Sequence, residues 1–310
     1  MIQRVAVIGT GVIGASWASN FLAHGVEVTA HDPAPGAEAR LHATVAAQWP
    51  AMQAMGLAPG ADPARLQFHA SLEAALDGAE FVQENGPERL DAKQALFAAM
   101  AAATSPDVVL ASSSSTLMVS DVQPGCRFPE RVVLGHPFNP PHLIPLVEVV
   151  GGKATSEAAI GTAMAFYRQI GKHPIRLNRE MTGHVANRLQ AALWQEAFYL
   201  LQEGVASAAD IDAAISHGPG LRWALLGPFL NLHLSGGPGG MAHMLAHLGP
   251  PTEAMWRDLG AVALNPALIE TVTSAVAEEV ATLSMAETVA QRDATLIALL
   301  KAKARAPALP

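Results

Sequence analysis

Val5-Ala6-Val7-Ile8-Gly9-Thr10-Gly11-Val12-Ile13-Gly14 decides the fold. Four apolar residues without alternation read as a strand buried on both faces, as in a parallel sheet covered by helices. The glycines follow at once and open a helical stretch that runs to His24, where Gly25 ends it. Gly9 permits the tight turn, Gly11 lets the backbone approach a pyrophosphate, and Gly14 lets helix and strand pack closely. Residues 26–31 read as a second strand, closed by Asp32. A carboxylate there hydrogen-bonds both hydroxyls of an adenosine ribose and repels a 2′-phosphate. The unit therefore predicts a dinucleotide site for NAD rather than NADP, with Gly9, Gly11, Val12, Ile13, Gly14 and Asp32 on the cofactor.

Outward from this unit the strand–helix alternation continues. Residues 37–56 read as a helix, with Pro50 a bend or break. Residues 71–77 have helical character, 80–83 and 108–111 read as strands, and 91–103 as the helix between them. Ser112-Ser113-Ser114-Ser115 follows the last of these strands. Four serines suit a flexible turn, but at the C-terminal end of a sheet strand they also lie on the ligand edge of a doubly wound fold. Residues 156–171 read as a helix and 174–177 as a short strand. From about 184 onward the pattern is helical only. One helix spans 184–204, with Leu189, Leu193, Ala197 and Leu200 at helical spacing and Asn187 and Arg188 in its first turn. The last helical stretch covers 266–303. The expected class is α/β, with a Rossmann-type doubly wound sheet over residues 1–180 and an all-α domain over 181–310.

Between the serine run and the helical half lies Gly135-His136-Pro137-Phe138-Asn139-Pro140. His136 ends the β-branched run Val132-Val133-Leu134, and the prolines force the chain out of regular structure. Glu148 sits inside a second apolar run, Leu146-Val147-Glu148-Val149-Val150. A carboxylate there is costly to bury without a partner, and a histidine at the end of a neighbouring strand is a natural one. The spacing also suits a His and a Glu that merely bound a turn.

The 310 residues carry a formal charge of −8, which argues against sequence-independent binding of nucleic acid. A small anion remains possible, because one Arg holds it locally. The single cysteine, Cys126, precludes an intrachain disulfide and suits a reducing cytoplasm. Met1-Ile2-Gln3-Arg4 runs straight into the first strand without a signal-peptide pattern. No Cys/His grouping has zinc-ligand spacing, so no metal site is expected. Residues 223–252 contain no Asp, Glu, Lys or Arg. Their Gly and Pro content, with His233, His243 and His247, argues for buried helix and loop around a pocket or subunit interface rather than a membrane span.

Taken together, Gly9–Gly14, Gln83-Glu84-Asn85-Gly86-Pro87-Glu88, Ser112–Ser115, Gly135–Pro140, Leu146-Val147-Glu148-Val149-Val150-Gly151-Gly152 and His184-Val185-Ala186-Asn187-Arg188 occur in this order over essentially the whole chain. The set resembles the 3-hydroxyacyl-CoA dehydrogenase superfamily. Asp32-Pro33-Ala34-Pro35-Gly36-Ala37-Glu38, Gly218-Pro219-Gly220-Leu221-Arg222-Trp223 and Ser235-Gly236-Gly237-Pro238-Gly239-Gly240-Met241 look like its L-carnitine 3-dehydrogenase branch. The relatives that act on L-gulonate, λ-crystallin among them, resemble the C-terminal segment less well.

The resemblance implies NAD-dependent oxidation of the 3-hydroxyl of a small 3-hydroxy acid, with L-carnitine to 3-dehydrocarnitine as the best match. It implies His136 as the general base and Glu148 as its paired carboxylate. Ser115 matches the serine that hydrogen-bonds the reacting oxygen, and Asn187 the asparagine of the helix start. Glu88 and Lys93 match residues on the nicotinamide side of the cofactor, although Lys93 also reads as a solvated helix charge. A homodimer through the C-terminal helices is implied as well.

The substrate end rests on Arg222, Trp223 and Phe229. An isolated cation in an uncharged segment is expensive without an anion, so Arg222 is expected on a substrate carboxylate, unless it pairs with an Asp or Glu elsewhere. Trp223 and Phe229 are candidates for stacking on a quaternary ammonium, as is Trp194, or are ordinary core aromatics. Residues 33–66 carry only Arg40 and Arg65 and no Lys, which disfavours the phosphates of a CoA thioester. The alternatives are a dehydrogenase for L-gulonate, 3-hydroxybutyrate or a 3-hydroxyacyl-CoA, and a non-catalytic protein of the crystallin kind. The presence of Ser115, His136 and Glu148 argues against the latter.

Overall fold

The computed structural model describes residues 1–309. Two compact units divide the chain, one over Met1–Arg188 and one from Leu189 onward.

The first unit is built on eight strands: β1 (Arg4–Ile8), β2 (Glu27–His31), β3 (Leu66–Phe68), β4 (Phe81–Glu84), β5 (Val109–Ser112), β6 (Val132–Pro137), β7 (Leu146–Gly151) and β8 (His173–Arg176). They form one sheet in the order β3-β2-β1-β4-β5-β6-β7-β8. The first six strands are parallel, and their order is that of a dinucleotide-binding sheet, with its crevice where β1 and β4 diverge. β7 runs antiparallel to β6, and β8 parallel to β7.

Six helices cover the sheet: α1 (Val12–Ala23), α2 (Ala37–Met55), α3 (Leu72–Leu76), α4 (Leu90–Ala103), α5 (Val119–Val122) and α6 (Glu157–Gln169). One apolar layer centres on Trp17, Phe21, Phe81, Phe166 and Tyr167, where Trp17 stacks on Phe21 and Tyr167 and Phe81 meets Phe166 at a tilt. The other holds Leu76, Phe97, Met100, Leu110 and Leu134. Both faces of the strands are thereby buried, which is why they read as unbroken apolar runs. Ser71 and Ser156 cap α3 and α6 through their hydroxyls.

The expected α/β architecture stands. Pro50 lies inside an unbroken α2. β3 and α5 have no counterpart in the sequence reading, since three or four residues are too short for a periodic signal.

The second unit contains the rest of α7 (Ala186–Gln202), then α8 (Ala208–Ser216), α9 (Pro219–Trp223), α10 (Pro228–Ser235), α11 (Gly240–Asp258), α12 (Pro266–Val280) and α13 (Met285–Ala304). The expected single stretch over 266–303 is two helices, because Ser284 caps a new one by accepting from Glu287 N. Residues 223–252 are mostly helical and mostly exposed, so this chain by itself does not bury them, which leaves the subunit-interface reading open. Beyond Arg188, Leu268 is the one large hydrophobic that is buried among the described residues. No helix among the described residues is long and apolar enough to cross a membrane.

Candidate active site

The turn after β1 has the shape a dinucleotide requires. Gly9 has a φ of +86°, and a Cβ on it would lie 2.7 Å from the Asn85 carbonyl. A Cβ on Gly14 would lie 1.9 Å from the Gly9 oxygen, whereas one on Gly11 meets nothing within 4 Å. Gly9 and Gly14 thus close the turn while Gly11 leaves its outer side open. Among the described residues no side chain caps α1, and Val12 in its first turn is exposed. Its opening amides are available to an anion. Asp32, at the end of β2, accepts from Thr10 N at 2.8 Å, Thr10 Oγ1 at 3.2 Å and Ala34 N at 2.9 Å. A carboxylate has capacity beyond these three bonds, so Asp32 braces the turn and can still accept from ribose hydroxyls. These residues fit a dinucleotide.

On the adjoining strand ends, Glu84 closes β4 as a fully buried carboxylate. Lys93 Nζ lies 2.8 and 3.0 Å from its two oxygens, and Ser112 Oγ donates to it at 2.8 Å. Lys93 is itself buried, not a solvated helix charge. Glu88 gathers the serine run. Its Oε1 accepts from Ser114 Oγ (2.7 Å), Ser115 N (2.9 Å), Thr116 N (2.8 Å) and Thr116 Oγ1 (2.9 Å). Partial burial pushes the Glu88 carboxyl up, but these donors and nearby Lys93 outweigh it and hold it below its usual value. The Ser112–Ser115 stretch is therefore a braced strand end and not a flexible turn.

His136 and Glu148 are directly paired in the register of β6 and β7. His136 Nδ1 lies 2.9 Å from Glu148 Oε2, and both side chains are buried. The other oxygen, Oε1, accepts from Val185 N at 2.8 Å and Ala186 N at 3.0 Å, at the start of α7. Burial pushes the Glu148 carboxyl up, but the His136 bond and the two amides outweigh it and leave it lowered. A carboxylate accepts only, so Nδ1 carries the proton in the neutral ring and Nε2 carries a lone pair. Ser115 and Asn187, both partly exposed, make no side-chain hydrogen bond among the described residues.

Arg222, Trp223 and Phe229 lie in the other unit, on α9 and α10, and all three are exposed. The guanidinium of Arg222 meets no carboxylate among the described residues, so neither the structural pair nor the cost of burying a lone cation applies. Trp223 and Phe229 are not core aromatics of this chain, and Trp194 on α7 is exposed too.

Glu84 and His184 are site residues that the sequence reading left without a role. A charge closing a buried strand is a legible signal for Glu84. His184 opens the His184–Arg188 motif, but its place in the site depends on contacts between distant segments, which the motif does not encode.

Residues 4–181 match the family description "3-hydroxyacyl-CoA dehydrogenase, NAD binding domain", and residues 183–263 match "3-hydroxyacyl-CoA dehydrogenase, C-terminal domain". The chain belongs to the 3-hydroxyacyl-CoA dehydrogenase family. It is an NAD-dependent dehydrogenase. It is 50% identical over 306 residues to an L-carnitine dehydrogenase of Streptomyces griseus, covering 99% of this chain and 91% of that one. An L-carnitine dehydrogenase of Pseudomonas aeruginosa is 47% identical, with 97% and 94% covered. Among solved structures, the NAD+-dependent dismutase 5-formyl-3-hydroxy-2-methylpyridine 4-carboxylic acid 5-dehydrogenase superposes with a TM-score of 0.86 at 27% identity, covering 98% of this chain and 99% of that one.

Proposed function

We propose that this enzyme oxidises the 3-hydroxyl of L-carnitine to 3-dehydrocarnitine, in the cytoplasm and as a homodimer. The substrate assignment rests on near-full-length identity of about half to L-carnitine dehydrogenases. The reaction rests on one observation, the buried His136–Glu148 pair at the end of β6.

When bound, NAD supplies the hydride-accepting nicotinamide for the carbinol carbon. His136 takes the hydroxyl proton on Nε2, since Nδ1–H is committed to Glu148. Imidazole suits this because its ordinary pKa lies near working pH. Glu148 fixes the tautomer and stabilises the imidazolium that forms, as the carboxylate does in a hydrolase triad. Its own charge is held by two backbone amides, so it has little tendency to take the proton itself. Ser115 Oγ and the Asn187 amide are assigned to the substrate oxygen, where they stabilise the oxyanion in the reducing direction. Glu88 and Lys93 are assigned to shaping the nicotinamide side. Arg222 is assigned the substrate carboxylate, and Trp223 and Phe229 the trimethylammonium.

Homodimer formation is supported by the apolar surface beyond Arg188. Leu189, Phe229, Leu234, Leu245 and Trp256 are each more than half exposed, the kind of apolar surface that marks an interaction face. Sedimentation at two protein concentrations tests it, with twice the chain mass expected.

Initial rates of NADH formation with L-carnitine, L-gulonate, 3-hydroxybutyrate and a 3-hydroxyacyl-CoA test the substrate. Carnitine is expected to give the highest kcat/KM. A rate no better than that with 3-hydroxybutyrate removes the assignment.

A further inference from the structure

His184 lies beside the His136–Glu148 pair with three features that have no role in the reaction as derived. It is 3% exposed. Its backbone stands at φ +54°, a left-handed conformation that non-glycine residues rarely adopt. Its Nδ1 is buried without a hydrogen-bond partner among the described residues.

The other ring nitrogen, Nε2, lies 3.2 Å from the carbonyl oxygen of Ser114. A carbonyl only accepts, so Nε2 carries the hydrogen and Nδ1 keeps a bare lone pair. In the neutral ring this is the Nε2–H tautomer. Burial also lowers its pKa, and proximity to His136 adds to this, against the opposing effect of the Ser114 bond. The ring centroid stands 5.0 Å from that of His136. The next two residues supply the amides that hold Glu148 Oε1. A left-handed residue just before consecutive amides is a way of turning them onto one anion.

One residue therefore meets three parts of the site. Its side chain donates to Ser114, whose successor is Ser115. Its ring flanks His136. Its backbone turn aims two amides at Glu148. We propose that His184 is a positioning residue that ties the Ser114–Ser115 strand end to the His136–Glu148 pair. In this arrangement the ring sets where Ser115 Oγ stands relative to His136 Nε2, and the left-handed turn sets where Glu148 stands. Strain in the backbone persists because the ring bond and the two amide bonds over-determine it. The functional consequence rests on the proposed reaction; the structural tie does not.

His184→Gly separates the two contributions. Glycine tolerates the left-handed turn, so the Glu148 amides keep their place while the ring bond to Ser114 is lost. His184→Asn also tolerates the turn and retains a short side-chain donor. Two readouts on the full chain decide the proposal. The first needs no substrate: hydrogen exchange of the Ser115 and Thr116 amides, expected to quicken about tenfold or more in His184→Gly and less in His184→Asn. The second is turnover with L-carnitine and NAD. Here kcat is expected to fall by up to about 100-fold in His184→Gly, with the KM for NAD unchanged and an intermediate kcat in His184→Asn. Parent-like exchange together with parent-like kcat in His184→Gly overturns the proposal. So does an equal loss in both variants with exchange unchanged. If the parent itself turns over no carnitine, the substrate reading fails, and the exchange measurement still decides the tie.

Discussion

His136 and Glu148 occupy opposite positions on antiparallel neighbours, with Nδ1 2.9 Å from Oε2. The register makes the pair, because directly opposed residues on adjacent strands bring side chains of one face together. β7 also departs from the parallel run of the sheet here, so the carboxylate enters from the strand that turns back on β6.

The pairing predicts an effect of Glu148→Gln. The amide keeps the volume but cannot hold a positive imidazolium, and it permits the wrong ring tautomer. Turnover should fall by roughly 100- to 10,000-fold. The dissociation constant for NADH, measured by fluorescence, should stay within about twofold, since the cofactor turn lies on other strands.

Glu148 and Glu88 both have carboxyls lowered from the usual 4.5. A lowered folded-state pKa means the folded protein holds the anion better than the unfolded chain does. That stability is present above about 4.5 and is lost as pH falls through the folded values. Unfolding by urea at a series of pH values from 7 to 3 should show this loss. In Glu148→Gln the acid slope should be shallower than in the parent.

Lys172 makes the opposite pH prediction. Its Nζ donates to the carbonyls of Pro141 and Ile144 and meets no carboxylate among the described residues, and burial brings its pKa down to about 7. Between that value and the unfolded 10.5 the unfolded chain binds the extra proton, so stability from this group rises with pH across that window and is lowest below it. The melting temperature of Lys172→Met should depend less on pH between 7 and 10 than that of the parent.

The Lys93–Glu84 pair is buried on both sides, so removing one partner strands a charge. Lys93→Met should destabilise the chain by about 3–5 kcal/mol, measured by denaturant unfolding. Adding Glu84→Gln to it should recover part of that loss. Recovery distinguishes a stranded carboxylate from simple loss of packing.

How far the sequence carries differs from residue to residue. Gly9, Gly14 and Asp32 act through the backbone of one local β-α-β unit, and their spacing alone announces the turn they build. His136 and Glu148 were legible as a candidate pair, since a carboxylate in an apolar run calls for a partner. Their contact depends on strand register, which the run does not encode. Lys93 looks like any helix lysine until β4 brings Glu84 beneath it. His184 is less legible still, because its role arises where Ser114 and Glu148 converge on one turn. The uncharged segment over 223–252 was legible as apolar, but what covers it was not. Lack of charge signals surface that avoids water, not that the same chain covers it.

The proposed reaction requires His136 as the base. The most direct measurement is the steady-state rate of NADH formation from L-carnitine by parent and His136→Ala, alongside the NADH dissociation constant of each. Turnover is expected to be at least about 100-fold lower in the variant, with NADH binding within about twofold of the parent. Near-parent turnover in His136→Ala contradicts that role.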